Sequence, residues 1–305
     1  MLLLTGPTAS GKSAVAIAIA RLTGGEIVCA DAFQLYNGLP ILTAQPPARD
    51  LTKAAHHLYG SVPLTDDMDA ARFARLAQAC IAEITARGNL PIITGGSGLY
   101  IKALTHGLSP LPPGDPALRA KLDALTSDEL TTRLLALDPT AGATINLRNQ
   151  RYVQRALEIA MLTGQPVAAQ KTSFASGPLP GIQGFYLTRD REELYSRINA
   201  RTIEMITAGA LDEVAALSAL LSLTAQKTIG LRELQAVTAG TLSLEEAVAA
   251  IQQNTRRYAK RQGTWFRRET WMQTVEAAGR SVEDIAAEIS RSYGDSISTG
   301  MASQT

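Results

Sequence analysis

Three groups of residues have types and spacings that can do chemistry. The first is Gly6-Pro7-Thr8-Ala9-Ser10-Gly11-Lys12-Ser13, a G-x-x-x-x-G-K-S string between an apolar strand pattern and an apolar helix pattern. In that context backbone N–H groups and the helix N-terminus converge on a phosphate. Lys12 adds a positive charge, and the Ser13 hydroxyl is placed to ligate Mg²⁺. A ligand-free glycine turn is the alternative, but all four fixed positions are present.

The second group is Asp31, at the end of the apolar run Glu26–Ala30, with Ser97 in the turn Gly95-Gly96-Ser97-Gly98. A carboxylate at that point can ligate a metal, act as a general base once desolvated, or cap a loop. The Ser97 hydroxyl can orient a base or an amine, or the turn can be packing glycine.

The third group is cationic. Arg148, Arg151 and Arg155 share a helix face opposite the stripe Val153, Ala156, Leu157, Ala160 and Met161. Thr255 to Arg268 holds six basic residues in fourteen and no acid. Arg257, Lys260, Arg261, Thr264 and Arg268 fall on one face, and Tyr258, Gln262, Trp265 and Phe266 on the other. The aromatics are therefore expected in the core. Two basic faces in a chain of net charge +1 point to polyanion contact, with a solvated surface as the alternative.

Strands alternating with helices must position these groups. The runs at Leu2–Leu4, Glu26–Ala30, Leu90–Thr94 and Phe185–Thr188 predict a parallel α/β sheet, whose ligands lie at the strands' carboxyl ends. The long stretch Gln34–Pro63 reads as an irregular loop. Asp69 to Arg87 reads as a helix stopping at Gly88, and Asp190 with Glu193 as a capping box. Prolines 110, 112 and 113 mark a hinge, and the following segment has helical patterns with no strand between them. The expected organisation is a P-loop NTPase-like core, residues 1–110 and 183–305, with an all-helical insertion at 111–182. The rest is expected to be helical, with a frayed tail from Ser292.

With 305 residues and 46% hydrophobic content, the chain can bury a sizeable core. Cys29 and Cys80 sit in apolar runs and read as buried thiols of a reducing compartment. Three histidines, two of them adjacent, argue against a metal cage. No apolar run approaches the roughly 18 residues of a membrane helix, and no leader pattern precedes the first strand. A cytoplasmic protein is expected.

Taken in order, GPTASGKS (6–13), DAFQLYNGLPILTAQP (31–46), HHL (56–58), GGSGLY (95–100), RYVQRALE (151–158), KTIGLREL (227–234) and YAKRQGTWFRR (258–268) resemble the tRNA dimethylallyltransferase family. The resemblance covers nearly the whole chain. It implies transfer of a dimethylallyl group from its diphosphate to the exocyclic N6 of an adenosine beside the anticodon. It implies that the P-loop, with Lys12, Ser13 and Mg²⁺, holds the prenyl diphosphate, with help from Arg232. Nucleotide and ATP binding is the general expectation for a P-loop. However, no carboxylate ends the strand Pro91–Thr94 where a Walker-B acid would stand. The residue matching Asp31 is the general base, and the hydroxyl matching Ser97 contacts the target base. Contacts to the tRNA anticodon stem-loop are implied for Asp31, Ala32, Phe33, Gln34, Ser97 and Arg119. They are also implied for Arg151, Tyr152, Val153, Gln154 and Arg155, and for Lys227, Thr228, Ile229, Gly230, Leu231 and Arg232. A monomer is expected.

The chain departs from the pattern in places. Ala32 stands where Ser is usual, Asn37 where a basic residue is common, and Leu42 where Gly is usual. Gln45 replaces a frequent Lys, and Ser97 the commoner Thr, keeping the hydroxyl. Three rivals remain: an adenylate isopentenyltransferase acting on free AMP or ADP, a P-loop small-molecule kinase, and a tRNA-binding module without catalysis.

Overall fold

The computed structural model describes residues 1–107, 111–112, 114–166, 177–217 and 220–302. Pro110 and Pro113 of the expected hinge lie outside them. The chain forms two compact units, Met1–Thr105 with Pro178–Thr305, and His106–Gly177.

The larger unit is built on a six-stranded sheet of β1 (Leu2–Thr5), β2 (Glu26–Cys29), β3 (His56–His57), β4 (Pro91–Gly95), β5 (Gln183–Thr188) and β6 (Gln273–Glu276). The spatial order is β3-β2-β4-β1-β5-β6, and every pairing is parallel. The central strands are continuous apolar runs because helices cover both faces. Leu3, Val28 and Ile93 face one layer, and Leu2, Leu4, Ile27 and Ile92 the other.

One layer contains α1 (Lys12–Thr23) and α13 (Val282–Ala302), meeting through Val15, Ile19, Ile285 and Ile289. The other includes α3 (Ala70–Ala86), α4 (Gly98–His106) and α12 (Leu244–Phe266), through Phe73, Ile84, Ile101, Leu104 and Phe266. Strand β1 lies between β4 and β5, so the chain winds away from it in both directions. The crevice at that switch point is where such sheets bind ligands.

Several local expectations are corrected. Gln34–Pro63 is not an open loop. It holds the one-turn helix α2 (Ala48–Leu51), strand β3 and a bridge between Tyr36 and Val62, and it buries Leu35, Tyr36, Leu39 and Leu42. The Glu213 carboxylate accepts from the backbone N–H groups of Ile41 and Leu42, each at 2.8 Å. The segment after β5 is not wholly helical, because β6 adds an edge strand in which only Val275 is buried. The tail from Ser292 continues α13 to Ala302. Asp190 does cap α9 (Arg191–Thr207), accepting from the Glu192 and Glu193 N–H groups. The Glu193 carboxylate pairs instead with Arg189, so no capping box closes. Asp69 caps α3 by accepting from Arg72 N–H at 2.8 Å.

Among its described residues the smaller unit's regular elements are all helices: α5 (Pro116–Asp123), α6 (Ser127–Leu137), α7 (Ala141–Thr144) and α8 (Gln150–Thr163). Its core is Leu122, Leu130, Leu134, Val153, Leu157 and Ala160. Three short helices complete the larger unit's layers: α10 (Ala210–Ala215), α11 (Leu231–Thr238) and a 3-10 turn at Ala225–Lys227.

Candidate active site

The phosphate loop leaves β1 and enters α1 through Gly11, whose φ of 101° favours glycine. Ala9 is also left-handed, at φ 65°, a conformation that alanine adopts only when its surroundings impose it. Gly11, Lys12, Ser13 and Ala14 line a cleft of about 410 Å³. The first N–H groups of a helix lack intrahelical partners, so this wall of the cleft is built to receive an anion. The Lys12 ammonium crosses the loop to donate to the Pro7 carbonyl at 2.8 Å.

Asp31 lines the same cleft. It stands just beyond β2, where Ala30 N–H still bonds the Thr94 carbonyl of β4 at 2.7 Å. One carboxylate oxygen accepts from Phe33 N–H at 3.1 Å, which fixes the side chain. Ser97 follows β4. Its N–H donates to the Ala30 carbonyl at 3.3 Å, and its hydroxyl accepts from Ala32 N–H at 2.8 Å. The Asp31 and Ser97 loops are therefore stitched together in both directions. The Ser97 hydroxyl also faces the Tyr258 phenol, and Ala32 serves through its backbone.

Gln262 of α12, buried at 4% exposure, ties this pair to the phosphate loop. Its carbonyl oxygen accepts from Thr8 N–H at 2.8 Å, and its amide nitrogen donates to the Gly96 carbonyl at 3.0 Å. A Cβ at Gly96 would fall 2.0 Å from that nitrogen, so the contact requires glycine. One turn earlier, the Tyr258 phenol meets Ser97 and Gln262; burial, with Asp31 nearby, raises its pKa.

Three arginines, one just before α9 and two along it, hold the phosphate loop. Arg189 Nε donates to the Ser10 carbonyl at 3.3 Å, Arg197 Nε to Ala9 at 2.8 Å, and Arg201 Nη2 to the Thr8 hydroxyl at 2.6 Å. Arg197 and Arg201 also line the cleft. Burial lowers the pKa of Lys12 to about 8, with Asp31 pulling it up and Arg201 pushing it further down.

A sequence profile described as IPP transferase matches residues 34–269 of this chain. A tRNA dimethylallyltransferase of Akkermansia muciniphila is 42% identical over 91% of this chain and 93% of its own. The chain belongs to the IPP transferase family. A tRNA dimethylallyltransferase of Caulobacter sp. (strain K31) is 44% identical over 88% of this chain and 90% of its own. The crystal structure of a Staphylococcus epidermidis tRNA delta(2)-isopentenylpyrophosphate transferase superposes with a TM-score of 0.70. It shares 30% identity, covering 96% of this chain and 98% of that one.

Other residues singled out by resemblance to the IPP transferases fall in several places. Phe33, Thr228, Ile229 and Tyr258 line a second cavity of about 70 Å³, which shares Thr8, Asp31, Gln34 and Arg201 with the first. The Thr228 hydroxyl is buried there with no hydrogen-bond partner among the described residues. Gln34 donates to the Thr43 and Ala44 carbonyls, closing the 34–45 segment. Lys227 is exposed, whereas Gly230 and Leu231 are buried at the start of α11. Arg232 is exposed and lines neither cavity.

In the helical unit, Arg151 and Tyr152 are exposed, but Val153 is fully buried in that unit's core. Its side chain cannot meet RNA there. Gln154 bonds Asp123 at 2.6 Å. Arg119 and Arg155 grip the buried Glu158 carboxylate at 2.9 and 2.5 Å, so Arg155 is not part of a free charged face. Burial pushes the Glu158 pKa up, but the two guanidiniums outweigh it and hold it below the ordinary range.

Sequence reasoning missed Gln262 as a bridge and Arg189, Arg197 and Arg201 as phosphate-loop contacts. The available signal was the four-residue spacing of Arg197 and Arg201 directly after a core strand. It also placed Trp265 in the core, yet the indole is 38% exposed.

Proposed function

We propose that the protein transfers a dimethylallyl group from dimethylallyl diphosphate to the exocyclic N6 of the adenosine 3′ to the anticodon in tRNA, releasing diphosphate. The observation that carries this reading is that Lys12 and Asp31 line one cleft while β4 ends in Thr94-Gly95. The cleft joins an anion cradle to a carboxylate, and the neighbouring strand ends without the acid that a nucleotide hydrolase needs.

In this reading the loop N–H groups, Lys12, Arg197 and Arg201 neutralise the charge that grows on diphosphate as its bond to C1 breaks. The N6 lone pair forms the new bond to C1, and the N6 proton passes to the free oxygen of the Asp31 carboxylate. Ser97 donates its hydroxyl proton to a ring nitrogen of the adenine, setting the angle of approach. The adenine must leave the base stack to reach this depth, and a closed cleft protects the allylic diphosphate from water.

Mg²⁺ suits the donor set. Ser13 borders the cleft and would hold the ion through its hydroxyl, which leaves the Asp31 carboxylate to the N6 proton; no cluster of three His, Cys, Asp or Glu exists among the described residues. Such a site leaves the remaining positions to diphosphate and water, as Mg²⁺ usually does. When bound, the ion would stabilise the leaving group's charge.

Arg151, Tyr152 and Lys227 are proposed as tRNA contacts, as is the exposed Arg232, and the helical unit as a tRNA-binding insertion. We place the protein in the cytoplasm, as a monomer. Among the described residues no helix is long and apolar enough to cross a membrane.

The test is incubation with isotopically labelled dimethylallyl diphosphate, offering tRNA and AMP separately. Label in tRNA alone supports the proposal. Label in AMP alone makes the protein an adenylate isopentenyltransferase, and no transfer to either acceptor sinks the prenyltransferase reading.

A further inference from the structure

Helix α12 runs along the Ser97 loop by one edge. Tyr258, Gln262 and Trp265 are spaced four and three apart, so they stack along that edge. Tyr258 meets Ser97, and Gln262 bonds the Gly96 carbonyl. Trp265 lies against Gly98: a Cβ there would be 2.6 Å from each of three indole ring atoms, Cδ1, Cδ2 and Cε2. Equal approach to three atoms of one ring means that glycine covers the ring's face and not its edge. Trp265 is nonetheless 38% exposed, and with Gly98 over one face the opposite face is the one left to meet solvent.

The stretch of α12 and its C-cap that carries the indole is cationic. Arg257, Lys260, Arg261, Arg267 and Arg268 are all exposed. Among the described residues none of them is in an ion pair. Arg261 sits 5.6 Å from the Tyr258 ring. An outward aromatic face on a helix stretch rich in cations without ion pairs is complementary to single-stranded RNA, whose bases stack and whose phosphates bring the charge.

We infer that the outward face of Trp265 is a stacking platform for an unpaired nucleobase in the RNA loop, adjacent to the adenine drawn toward Ser97. This rests on the reading of the cleft as an RNA-modifying site and adds to it the residue that seats the neighbouring base. Extruding one base exposes the faces of those beside it, and an indole packed on Gly98, the residue after Ser97, replaces the lost stacking.

The chain has two tryptophans, so Trp271→Phe leaves Trp265 as the sole indole emitter. Trp271 donates to Glu269 outside the cleft. This variant is titrated with an anticodon stem-loop RNA while indole emission is followed. Binding is measured independently by anisotropy of the end-labelled RNA.

The expected result is quenching that saturates with binding. Trp265→Phe should bind within about threefold of the parent, and Trp265→Leu about tenfold or more weaker. An abasic residue beside the target should abolish the quench and weaken the parent, yet leave Trp265→Leu unaffected. RNA that binds and is prenylated with no change in emission, and with every abasic RNA equally affected in both proteins, overturns the platform while leaving the enzyme reading intact. Failure of the unsubstituted protein to bind RNA at all overturns both. Because the emission readout uses an unaltered Trp265, it stands even if Trp265→Leu folds poorly.

Discussion

Gln262 accepts a hydrogen bond from the Thr8 backbone N–H at 2.8 Å. The other end of the same amide donates to Gly96 at 3.0 Å, so one side chain sets the distance between phosphate loop and Ser97 loop. A carboxylate cannot make both bonds. In Gln262→Glu the second oxygen would face the Gly96 carbonyl, and a charge would be buried. The expected effect is a fall in kcat of about 10- to 100-fold, since small misplacements of reacting groups carry penalties of that order. The KM for donor should change less. Steady-state kinetics at saturating RNA checks this, and a kcat within twofold of the parent would remove the bridge from the account.

Lys12 provides a pH signature. Burial lowers its pKa to about 8, so the unliganded cleft loses this positive charge as pH rises through that value. A bound anion pulls the proton back. Donor capture should therefore weaken above about pH 8, seen as a descending limb in kcat/KM for dimethylallyl diphosphate, which reports the free enzyme. Lys12→Arg stays charged throughout, and its residual activity should lack that limb. A limb unchanged in Lys12→Arg would assign it elsewhere.

Asp31 separates chemistry from binding. Its carboxylate is fixed by Phe33 N–H, and Asp31→Asn keeps the shape while losing basicity. Prenyl transfer should drop by about 10²- to 10⁴-fold, the usual scale of general-base catalysis. The RNA Kd should stay within about threefold. Single-turnover rates and anisotropy measure the two quantities side by side, and transfer at the parental rate would end the general-base role.

At the opposite end of β2, Glu26 is a structural clasp. It accepts from Arg87, Asn89 and His57 at 2.7, 2.7 and 2.6 Å. The Arg87 bond lowers its pKa most, burial opposes, and Asn89 and His57 assist, leaving it at about 2 against an ordinary 4.5. A depressed carboxyl pKa stabilises the fold above the unfolded value and loses that contribution as pH falls toward the folded one. Glu26→Gln should be about 1–2 kcal/mol less stable at neutral pH, the scale of a charged hydrogen bond with a half-exposed partner. The difference from the parent should be complete above about pH 5 and shrink as pH falls from about 4 to 2. Urea denaturation across pH reads it directly. A pH-independent difference would contradict the linkage.

The legible parts of the sequence were those whose signal is local. The apolar run Leu2–Leu4, the glycine–lysine loop and the helix behind it lie within one short stretch, and the parallel core follows from such runs. Asp31 and Ser97 were placed at strand ends because strand ends are where chemistry collects. Strand β3 has two residues, and β6 buries only Val275, so neither carries a period to read. Arg197 and Arg201 look like ordinary helix charges until the pairing of β1 with β5 brings α9 over Thr8 and Ala9. Gln262 and Trp265 lie some 165 residues from the loop they touch, a contact only tertiary structure defines. The buried Val153 and Leu231 show a different limit: a motif marks a segment, not which of its side chains face outward.

In the proposed reaction this phosphate loop holds a leaving diphosphate and not a nucleotide. The most direct measurement supplies dimethylallyl diphosphate and ATP together, at equal concentration, with tRNA, and quantifies every phosphorus species alongside prenylated adenosine. The expected result is one diphosphate released per adenosine modified, with ATP intact. Phosphate released from ATP, with no prenyl group on the RNA, would contradict it.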